Sequence, residues 1–409
     1  MRKAGEPCLP EGLVLFNTLT AGKESFLPPE EGPVKVFSCG PTVQDYMHAG
    51  HARTYVFYDT MVRYLRHLGH RVEFLMNITD IDESIEAAAE RAGVKAADYA
   101  SARIEAYRRD MDGLGISTLS GFVRVSEYVP QMIRLTAALL ERGYAYMADG
   151  IVYFDTARYP HLGQLAHQSR AELKLRPIEL SEHKKDLLDF SLWRPAPSGG
   201  ARMESPWGEG WPGWHIQDTA VTSTHFGQRY DIHGGAHELI YPHHEAEIAQ
   251  AEALTGVRPF VRYWVHCGLV KKGGRKMSKS EGNIVYAKDI LSRYGADAVR
   301  LYMLSHHYRE DFEFDEGELA RKKEAYASMR ERPLKAGEGA DAGAVERLLS
   351  RFRGLMNDDF DSPRAVDFAV RLAGRVDGDG REVRAEDAAA ALSVISGVLG
   401  VNFVEERSL

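Results

Sequence analysis

The sequence predicts an α/β fold built on a doubly wound parallel sheet, interrupted by an inserted connective segment and followed by a C-terminal helical bundle. A strand, a helix and a second strand follow one another within residues 34–79, which is the order of a βαβ unit. A similar order returns at 228–270, and helical periodicity dominates after residue 283. We therefore expect a Rossmann-like sheet, whose ligands bind at the carboxyl ends of its strands.

The first half of the predicted sheet begins with residues 34–39 (VKVFSC), a β-rich segment that ends in a cysteine, glycine and proline typical of a loop. A helix is predicted from His48, because apolar residues recur at helical spacing until Gly69 stops the pattern. Residues 71–79 (RVEFLMNIT) supply the second strand. We therefore expect the loop after the first strand to carry chemistry.

Helical patterns and turn-rich stretches separate this unit from the second half of the sheet. The sheet is predicted to resume with a strand at 228–235, a helix at 242–255 and a strand at 261–270. A loop rich in glycine and lysine follows, and the rest of the chain has helical periodicity. The predicted divisions are 1–120 and 205–270 for the two halves of the sheet domain, 121–204 for the inserted segment, 271–314 for the loop region and 315–409 for the helical domain.

Composition limits the classes of function that the chain can have. Its 409 residues are 44% hydrophobic and 27% charged, which is typical of a folded protein with two or three domains. We expect no membrane segment, since no apolar run approaches the roughly 18 residues that a spanning helix needs. Three cysteines cannot form a disulfide framework, which favours a cytoplasmic location. The net charge of −8 argues against a broad electrostatic surface for nucleic acid. We expect a monomer.

The tetrapeptide His48-Ala49-Gly50-His51 lies where the first loop becomes a helix. Free backbone N–H groups and the helix dipole favour an anion at this position, and Gly50 permits its close approach. The tetrapeptide therefore predicts a phosphate site, although two histidines at a helix start, taken alone, are more often incidental.

A second candidate is Lys276-Met277-Ser278-Lys279, in a loop with further lysines, an arginine and two glycines. A cationic loop of this kind suits the stabilisation of charge on a polyphosphate as it breaks. For the loop alone, a solvated run of charge is the simpler interpretation. The order of the motifs favours the first interpretation, because a histidine–glycine helix start in the first half of a nucleotide-type sheet is followed by KMSKS after the second half.

Together these two motifs resemble those of class I aminoacyl-tRNA synthetases, and the segments around them resemble the cysteinyl-tRNA synthetase family. The resemblance extends from about residue 14 to residue 400. The segments that carry it are FNTLTAGKESF (16–26), CGPTVQDYMHAGHAR (39–53), NITDIDESI (77–85), SPWGEGWPGWHI (205–216), DIHGG (231–235), PHHEAEIAQ (242–250), RKMSKSEGN (275–283) and MNDDFDSPRAV (356–366).

The resemblance implies that L-cysteine is joined to the α-phosphate of ATP, with release of pyrophosphate, and is then passed to the 3′-terminal adenosine of tRNA(Cys). Mg²⁺ arrives with ATP. Residues 271–314 then correspond to the KMSKS loop and a stem-contact region, and 315–409 to a helical anticodon-binding-like domain. Glu238 stands where the family has Asp, and Ala236 where it has Gly. The implied catalytic residues are His48, His51, Lys276 and Lys279, and the implied ATP-binding residues are these four with Gly50, Gly234, Gly235, Glu238, Met277 and Ser278.

The resemblance also implies one zinc ion per chain, which binds the substrate thiol. His243 and Glu247 are four residues apart on one predicted helix face, close enough to share an ion. Asp218 stands where the family has its second cysteine ligand, which keeps the charge of the site but makes it a harder donor set. The alternative is an empty site with a buried thiol at Cys39. The implied metal ligands are Cys39, Asp218, His243 and Glu247, and the implied amino-acid-binding residues are Cys39, Gly40, Thr79, Trp214 and His215.

Two other functions stay open at this point. One is a mycothiol-type ligase that joins cysteine to an amino sugar, and the other is a catalytically altered synthetase paralogue. Residues 315–409 hold 15 Lys and Arg against 19 Asp and Glu, which is unusual for a domain that contacts RNA. The intact HAGH and KMSKS motifs favour cysteine–tRNA ligation, and so does the sequence of residues 39–53, which resembles that of the synthetases.

Overall fold

The structure is a computed structural model that describes residues 12–196, 202–278, 281–331, 334–335 and 339–405. Lys279 therefore lies outside the described residues. Among the helices of the described segments, none combines the length and apolar character that crossing a membrane requires.

The first half of the sheet domain follows the predicted order of strand, helix and strand. The predicted helix from His48 to Gly69 is α1, whose first residue is Ala49. Its elements are β1 (Val14–Asn17), β2 (Gly22–Ser25), β3 (Val34–Ser38), α1 (Ala49–His67), β4 (Val72–Ile78), α2 (Glu83–Ala92), α3 (Ala96–Gly113) and β5 (Gly121–Arg124).

A smaller unit with an antiparallel sheet interrupts the sheet domain. Its strands follow the order β6-β7-β8-β9 and cover a separate apolar cluster that includes Phe154, Phe190 and Trp193. Its elements are α4 (Val129–Glu141), β6 (Ala145–Ala148), β7 (Ile151–Phe154), α5 (Arg170–Leu173), β8 (Phe190–Pro195) and β9 (Gly210–Pro212).

The remaining elements complete the sheet and form the helical domain. They are α6 (Trp214–Phe226), β10 (Tyr230–Ala236), α7 (Glu245–Thr255), β11 (Val261–Cys267), β12 (Val270–Lys272), β13 (Arg275–Lys276), α8 (Ala287–Tyr294), α9 (Ala296–Leu304), β14 (Phe312–Glu313), α10 (Glu316–Glu331), β15 (Leu334–Lys335), α11 (Ala342–Asn357), α12 (Ser362–Ala373), α13 (Ala385–Leu399) and β16 (Val404–Glu405).

The central sheet has five parallel strands in the order β11-β10-β3-β4-β5. Successive side chains of a strand face opposite sides, so Val36 packs with α1 whereas Phe37 packs with α6 and α7. Helices therefore cover both faces, and the predicted doubly wound fold is confirmed. The carboxyl ends of β3 and β10, which are neighbours although far apart in sequence, meet at the position where such sheets bind ligands.

The two sheets do not change over at the predicted boundaries, residues 121 and 204. The strand at 121–124 pairs with β4 in the central sheet, and the strand at 210–212 pairs with β8 in the inserted unit. Both strands are short and have too few residues to show a periodicity of two. The functional division of the chain into domains stays a prediction.

Two predicted elements also differ in extent. The helix expected at 242–255 begins at Glu245, because Tyr241 precedes a proline and has extended backbone angles instead of helical ones. The strand expected at 261–270 ends at Cys267, and Val270 begins a separate strand that pairs with β13 and β14.

The C-terminal helices share one apolar core with the sheet domain. Arg300 on α9 is fully buried, and its guanidinium donates to Asp59 Oδ2 on α1 at 2.8 Å and to the carbonyl of Leu399 on α13 at 2.9 Å. The hydroxyl of Tyr64 on α1 donates to Asn357 Oδ1 on α11 at 2.6 Å. Helix α1, which His48 caps, is thus fixed to the helical domain along its length.

Candidate active site

A cavity of about 630 Å³ opens at the carboxyl ends of β3 and β10 and at the first turn of α1. It brings together motifs from both halves of the sheet and from the lysine-rich loop. The predicted site residues that line it are Cys39, Gly40, His48, Gly50, His51, Trp214, Glu238, Lys276, Met277 and Ser278.

His48 and His51 form a reciprocal cap at the start of α1. His48 Nδ1 accepts hydrogen bonds from the backbone N–H groups of Gly50 and His51, at 3.1 and 3.3 Å. His51 Nδ1 accepts from the backbone N–H of His48 at 3.4 Å, and the two rings stack 3.7 Å apart. Because both Nδ1 atoms are acceptors, a neutral imidazole at either position carries its proton on Nε2. Both residues line the cavity, so these protons are available to a ligand.

Both imidazoles are neutral near pH 7. Burial, opposed by Glu238 and assisted by Lys276, lowers the pKa of His48 to about 4. Burial also lowers the pKa of His51. Near pH 7 the two histidines are therefore neutral hydrogen-bond donors through Nε2–H, and the positive charge at the cavity comes from Lys276 of the lysine-rich loop.

Lys276 reaches the cavity from β13 and forms an ion pair with Glu238. Its Nζ lies 2.5 Å from Glu238 Oε2, and both side chains are partly exposed. Glu238 thus lies beside the predicted ATP-binding lysine.

Gly234 and Gly235 lie next to the cavity but do not line it. A Cβ on Gly234 would meet the carbonyl oxygen of Val265 at 1.7 Å and the hydroxyl of Tyr58 at 2.4 Å. Packing within the protein therefore requires glycine at 234, a position that the resemblance assigns to ATP binding. Ala236, two residues further on, does line the cavity.

A buried cluster of potential metal ligands lies behind the cavity, with Cys39 at its mouth. The four predicted ligand atoms, from Cys39, Asp218, His243 and Glu247, lie within 4.8 Å of one another. Asp218 Oδ2 is 3.1 Å from Cys39 Sγ and 3.1 Å from His243 Nε2. His243 Nε2 is also 3.3 Å from Glu247 Oε1.

The electrostatics of this cluster fit a divalent ion. Both carboxylate oxygens of Glu247 are buried and have no hydrogen-bond partner within the described part of the chain. Burial and the neighbouring Asp218 raise the pKa of Glu247, and the same two causes, with Glu247, raise the pKa of the Cys39 thiol. One sulfur, one imidazole nitrogen and carboxylate oxygens are donors that zinc accepts, and a cation would compensate the buried acids.

Two further histidines surround the sulfur of Cys39. His233 Nε2 lies 3.4 Å and His244 Nε2 lies 3.1 Å from Sγ, and both rings are fully buried. With Cys39 and Glu247 they form a second set of potential ligands. The ring of His244 is oriented by His266, whose Nε2 lies 2.8 Å from His244 Nδ1.

The predicted amino-acid-binding residues differ in their access to the cavity. Trp214 is 41% exposed, lines the cavity and stacks on the ring of His243 at 4.4 Å. His215 is buried, and its Nδ1 lies 3.0 Å from His243 Nδ1. Thr79 is buried and donates to Gln217 Oε1 at 3.3 Å. Of these three residues only Trp214 reaches the cavity surface.

A family model described as the tRNA synthetases class I (C) catalytic domain matches residues 25–324. Cysteine–tRNA ligase of Sulfurihydrogenibium sp. is 42% identical over 366 residues, which cover 87% of this chain and 75% of that protein. Cysteine–tRNA ligase of Bacillus pumilus is 40% identical over 372 residues, which cover 88% and 80%. The chain belongs to the cysteine-type class I tRNA synthetases. It is an ATP-dependent ligase, as the sequence predicts.

Solved synthetase structures share the fold of this class I synthetase at low sequence identity. Mycobacterium tuberculosis methionyl-tRNA synthetase with methionyl-adenylate has a TM-score of 0.61 and 18% identity, over 90% of each chain. An Agrobacterium radiobacter leucyl-tRNA synthetase in a ternary complex has a TM-score of 0.62 and 12% identity, over 92% of this chain and 84% of that one. Both confirm the predicted architecture.

The sequence did not single out three residues of this synthetase that lie at the buried cluster. His233 and His244 belong to the segments DIHGG and PHHEAEIAQ, next to residues that were assigned a role. Asn77 is the second-last residue of β4, the strand beside β3, and donates a hydrogen bond to Asp218. His233 lies in the middle of β10, and His244 lies directly before α7. Because β10 and β4 are the two neighbours of β3, the strand that Cys39 follows, adjacency to β3 is the signal that would have found His233 and Asn77.

Proposed function

We propose that the chain activates L-cysteine with ATP and transfers the cysteinyl group to the 3′-terminal adenosine of tRNA(Cys). The observation that carries this proposal is the meeting of two sites at one cavity. The phosphate-binding start of α1 and Lys276 lie on one side, and Cys39, at the mouth of the buried ligand cluster, lies on the other.

In the proposed first step, the carboxylate of cysteine attacks the α-phosphorus of ATP, and the bond to the leaving pyrophosphate breaks. His48 and His51 donate Nε2–H hydrogen bonds to phosphate oxygens, and Lys276 with Lys279 neutralises the charge that develops on the leaving group. When ATP binds, Lys276 must break its ion pair with Glu238 and pair with the phosphates instead. Mg²⁺ accompanies ATP as part of the substrate.

In the proposed amino-acid subsite, Cys39, Asp218, His243 and Glu247 would hold a zinc ion. Bound there, zinc would supply a Lewis acid for the thiol of the substrate, which would favour cysteine over serine. Trp214 covers His243 from the cavity side, which limits the access of water to the cluster.

In the proposed second step, a ribose hydroxyl of the tRNA attacks the carbonyl carbon of the adenylate, and AMP leaves. The helical domain at 315–409 would hold the tRNA through a few arginines, because its excess of acidic residues excludes bulk attraction. Arg351 and Arg353 on α11 are exposed enough to contribute, although each has an acidic neighbour, Asp379 and Glu346 respectively.

The experiment that tests the first step is cysteine-dependent exchange of pyrophosphate into ATP. We expect exchange with the wild-type protein, and a loss on the order of 10²-fold for Lys276→Ala, since it removes a preorganised charge from the phosphates. Lys272→Ala is the matched control, because Lys272 lies on β12, the strand that pairs with the β13 strand of Lys276, but does not line the cavity. Absence of exchange with cysteine in the wild-type protein would contradict the proposed function.

A further inference from the structure

Asn77 connects two segments that carry proposed metal ligands. It is 3% exposed and is the second-last residue of β4. Its Oδ1 accepts a hydrogen bond from the backbone N–H of Gly40, next to Cys39, at 2.6 Å. Its Nδ2 donates to Asp218 Oδ1 on α6, also at 2.6 Å. One amide thus links the loop after β3 to the helix that supplies Asp218.

The chemistry of the partners fixes the orientation of this amide. The backbone N–H of Gly40 can only donate, so the atom that faces it is the oxygen of Asn77, and the other end of the amide must donate to Asp218. Asp218 Oδ1 is therefore an acceptor that is already used. Only Oδ2 remains directed at Cys39 and His243, which makes Asp218 a ligand through a single oxygen.

We propose that Asn77 is a positioning residue for the metal site: it holds the Asp218 carboxylate in the one orientation that directs Oδ2 at the ion. The role assigned to Asn77 rests on the metal site of the proposed function. Outer-shell hydrogen bonds of this kind orient a ligand before the metal arrives, and their loss typically weakens metal binding by 10- to 100-fold.

A glycine next to Cys39 makes this link possible. A Cβ on Gly40 would lie 1.7 Å from the backbone oxygen of Asn77, so the loop approaches β4 more closely than any other residue at position 40 would permit. The close approach gives the Asn77 side chain its short contact with the Gly40 backbone. The side chain of Asn77 thereby fixes both the loop that carries Cys39 and the carboxylate of Asp218, although these two residues are 179 positions apart.

The test is the rate at which the intact protein releases zinc to a chromogenic chelator, measured without substrates. We expect Asn77→Ala to release zinc 10 to 100 times faster than the wild-type protein. In the cobalt-substituted protein, we expect the same change to alter the d–d absorption, since the orientation of a ligand changes. Asn77→Ser, which leaves a smaller cavity, gives a second variant if the alanine variant folds poorly.

Two controls separate this role from general loss of structure. Asn17→Ala removes another buried asparagine, which is hydrogen-bonded to Trp264 and Arg262, and should lower thermal stability without changing zinc release. Asp218→Cys replaces the carboxylate by a sulfur that needs no orienting amide. In the Asp218→Cys background, Asn77→Ala should change the rate of zinc release by less than about 3-fold. The hydrogen bond from Gly40 to Asn77 is lost equally in both backgrounds, so only the loss of the contact with Asp218 differs between them.

Different outcomes test the role of Asn77 and the existence of the metal site. If the wild-type protein holds zinc, and Asn77→Ala and Asn77→Ser both release it at the wild-type rate, the role of Asn77 alone is overturned. Equal acceleration in the Asp218 and Asp218→Cys backgrounds would show that Asn77 acts through Gly40, which also overturns it. Absence of zinc from the freshly purified wild-type protein would overturn the metal site and with it the role of Asn77. Cysteine-dependent pyrophosphate exchange reports separately on the proposed function.

Discussion

Replacing His48 by asparagine or by alanine separates the two tasks that the structure gives this residue. His48 Nδ1 caps α1 by accepting from the N–H groups of Gly50 and His51, while Nε2–H is left for a phosphate. Asparagine is a good N-cap residue, so His48→Asn keeps the acceptor but loses the donor that reaches the cavity. Alanine removes both.

The two variants should differ in stability but not in the rate of exchange. Loss of an N-cap acceptor costs about 0.5 to 2 kcal/mol of stability, so His48→Ala should lower the free energy of unfolding by about 1 kcal/mol and His48→Asn by a few tenths. Loss of one preorganised donor to a developing charge costs about 10²- to 10³-fold in rate, and both variants should show it.

The assays are urea denaturation and cysteine-dependent pyrophosphate exchange on the same preparations. Slow exchange in both variants, with stability lost only in His48→Ala, is the expected pattern. Wild-type exchange rates in His48→Asn would refute the assignment of Nε2–H to the phosphate. Equal destabilisation of the two variants would refute the capping role.

Three further outcomes are expected. Because burial holds the pKa of His48 at about 4, its imidazole is neutral throughout the range from pH 8 to pH 6. The ratio of wild-type to His48→Asn exchange rates should therefore stay constant within about twofold over this range. A ratio that falls towards pH 6 would contradict this expectation. Arg300→Met should lower the free energy of unfolding in urea by about 3 kcal/mol or more, whereas Arg63→Met, at a partly exposed arginine, should cost about 1 kcal/mol or less. Deleting residues 315–409 should abolish soluble, exchange-competent protein, because it uncovers the buried Tyr64 face of α1; retention of exchange would show that the sheet domain folds alone.

Much of the fold could be predicted because its signals are local. The strand at 34–38 and the helix after His48 follow from β propensity, apolar spacing and a glycine stop. A ligand site at the carboxyl ends of the strands follows from the rule for doubly wound parallel sheets, whereas the pairing of β3 with β10 is a nonlocal contact that only the structure gives. The elements that escaped prediction are those where a nonlocal contact decides, such as the short strand at 121–124, which exists only because it pairs with β4.

The candidate site could be predicted only in part for a similar reason. The order of the two motifs pointed to His48 and Lys276, and the resemblance to the synthetase family implied the four potential metal ligands, which the structure brings together. The tautomer of His48 depends on which backbone groups donate to its ring, and this is a property of three-dimensional geometry. The link from Gly40 through Asn77 to Asp218 joins three distant segments, so no pattern within one segment could reveal it.

An acylation assay with ³⁵S-cysteine and ATP, in which purified tRNA and a glucosamine-type amine are offered in parallel, decides which acceptor receives the cysteinyl group. Cysteine–tRNA ligation predicts radiolabel that precipitates with tRNA, depends on ATP and is released by mild base, with none on the amine. Label on the amine without charging of tRNA would contradict the account and favour amino-sugar ligation.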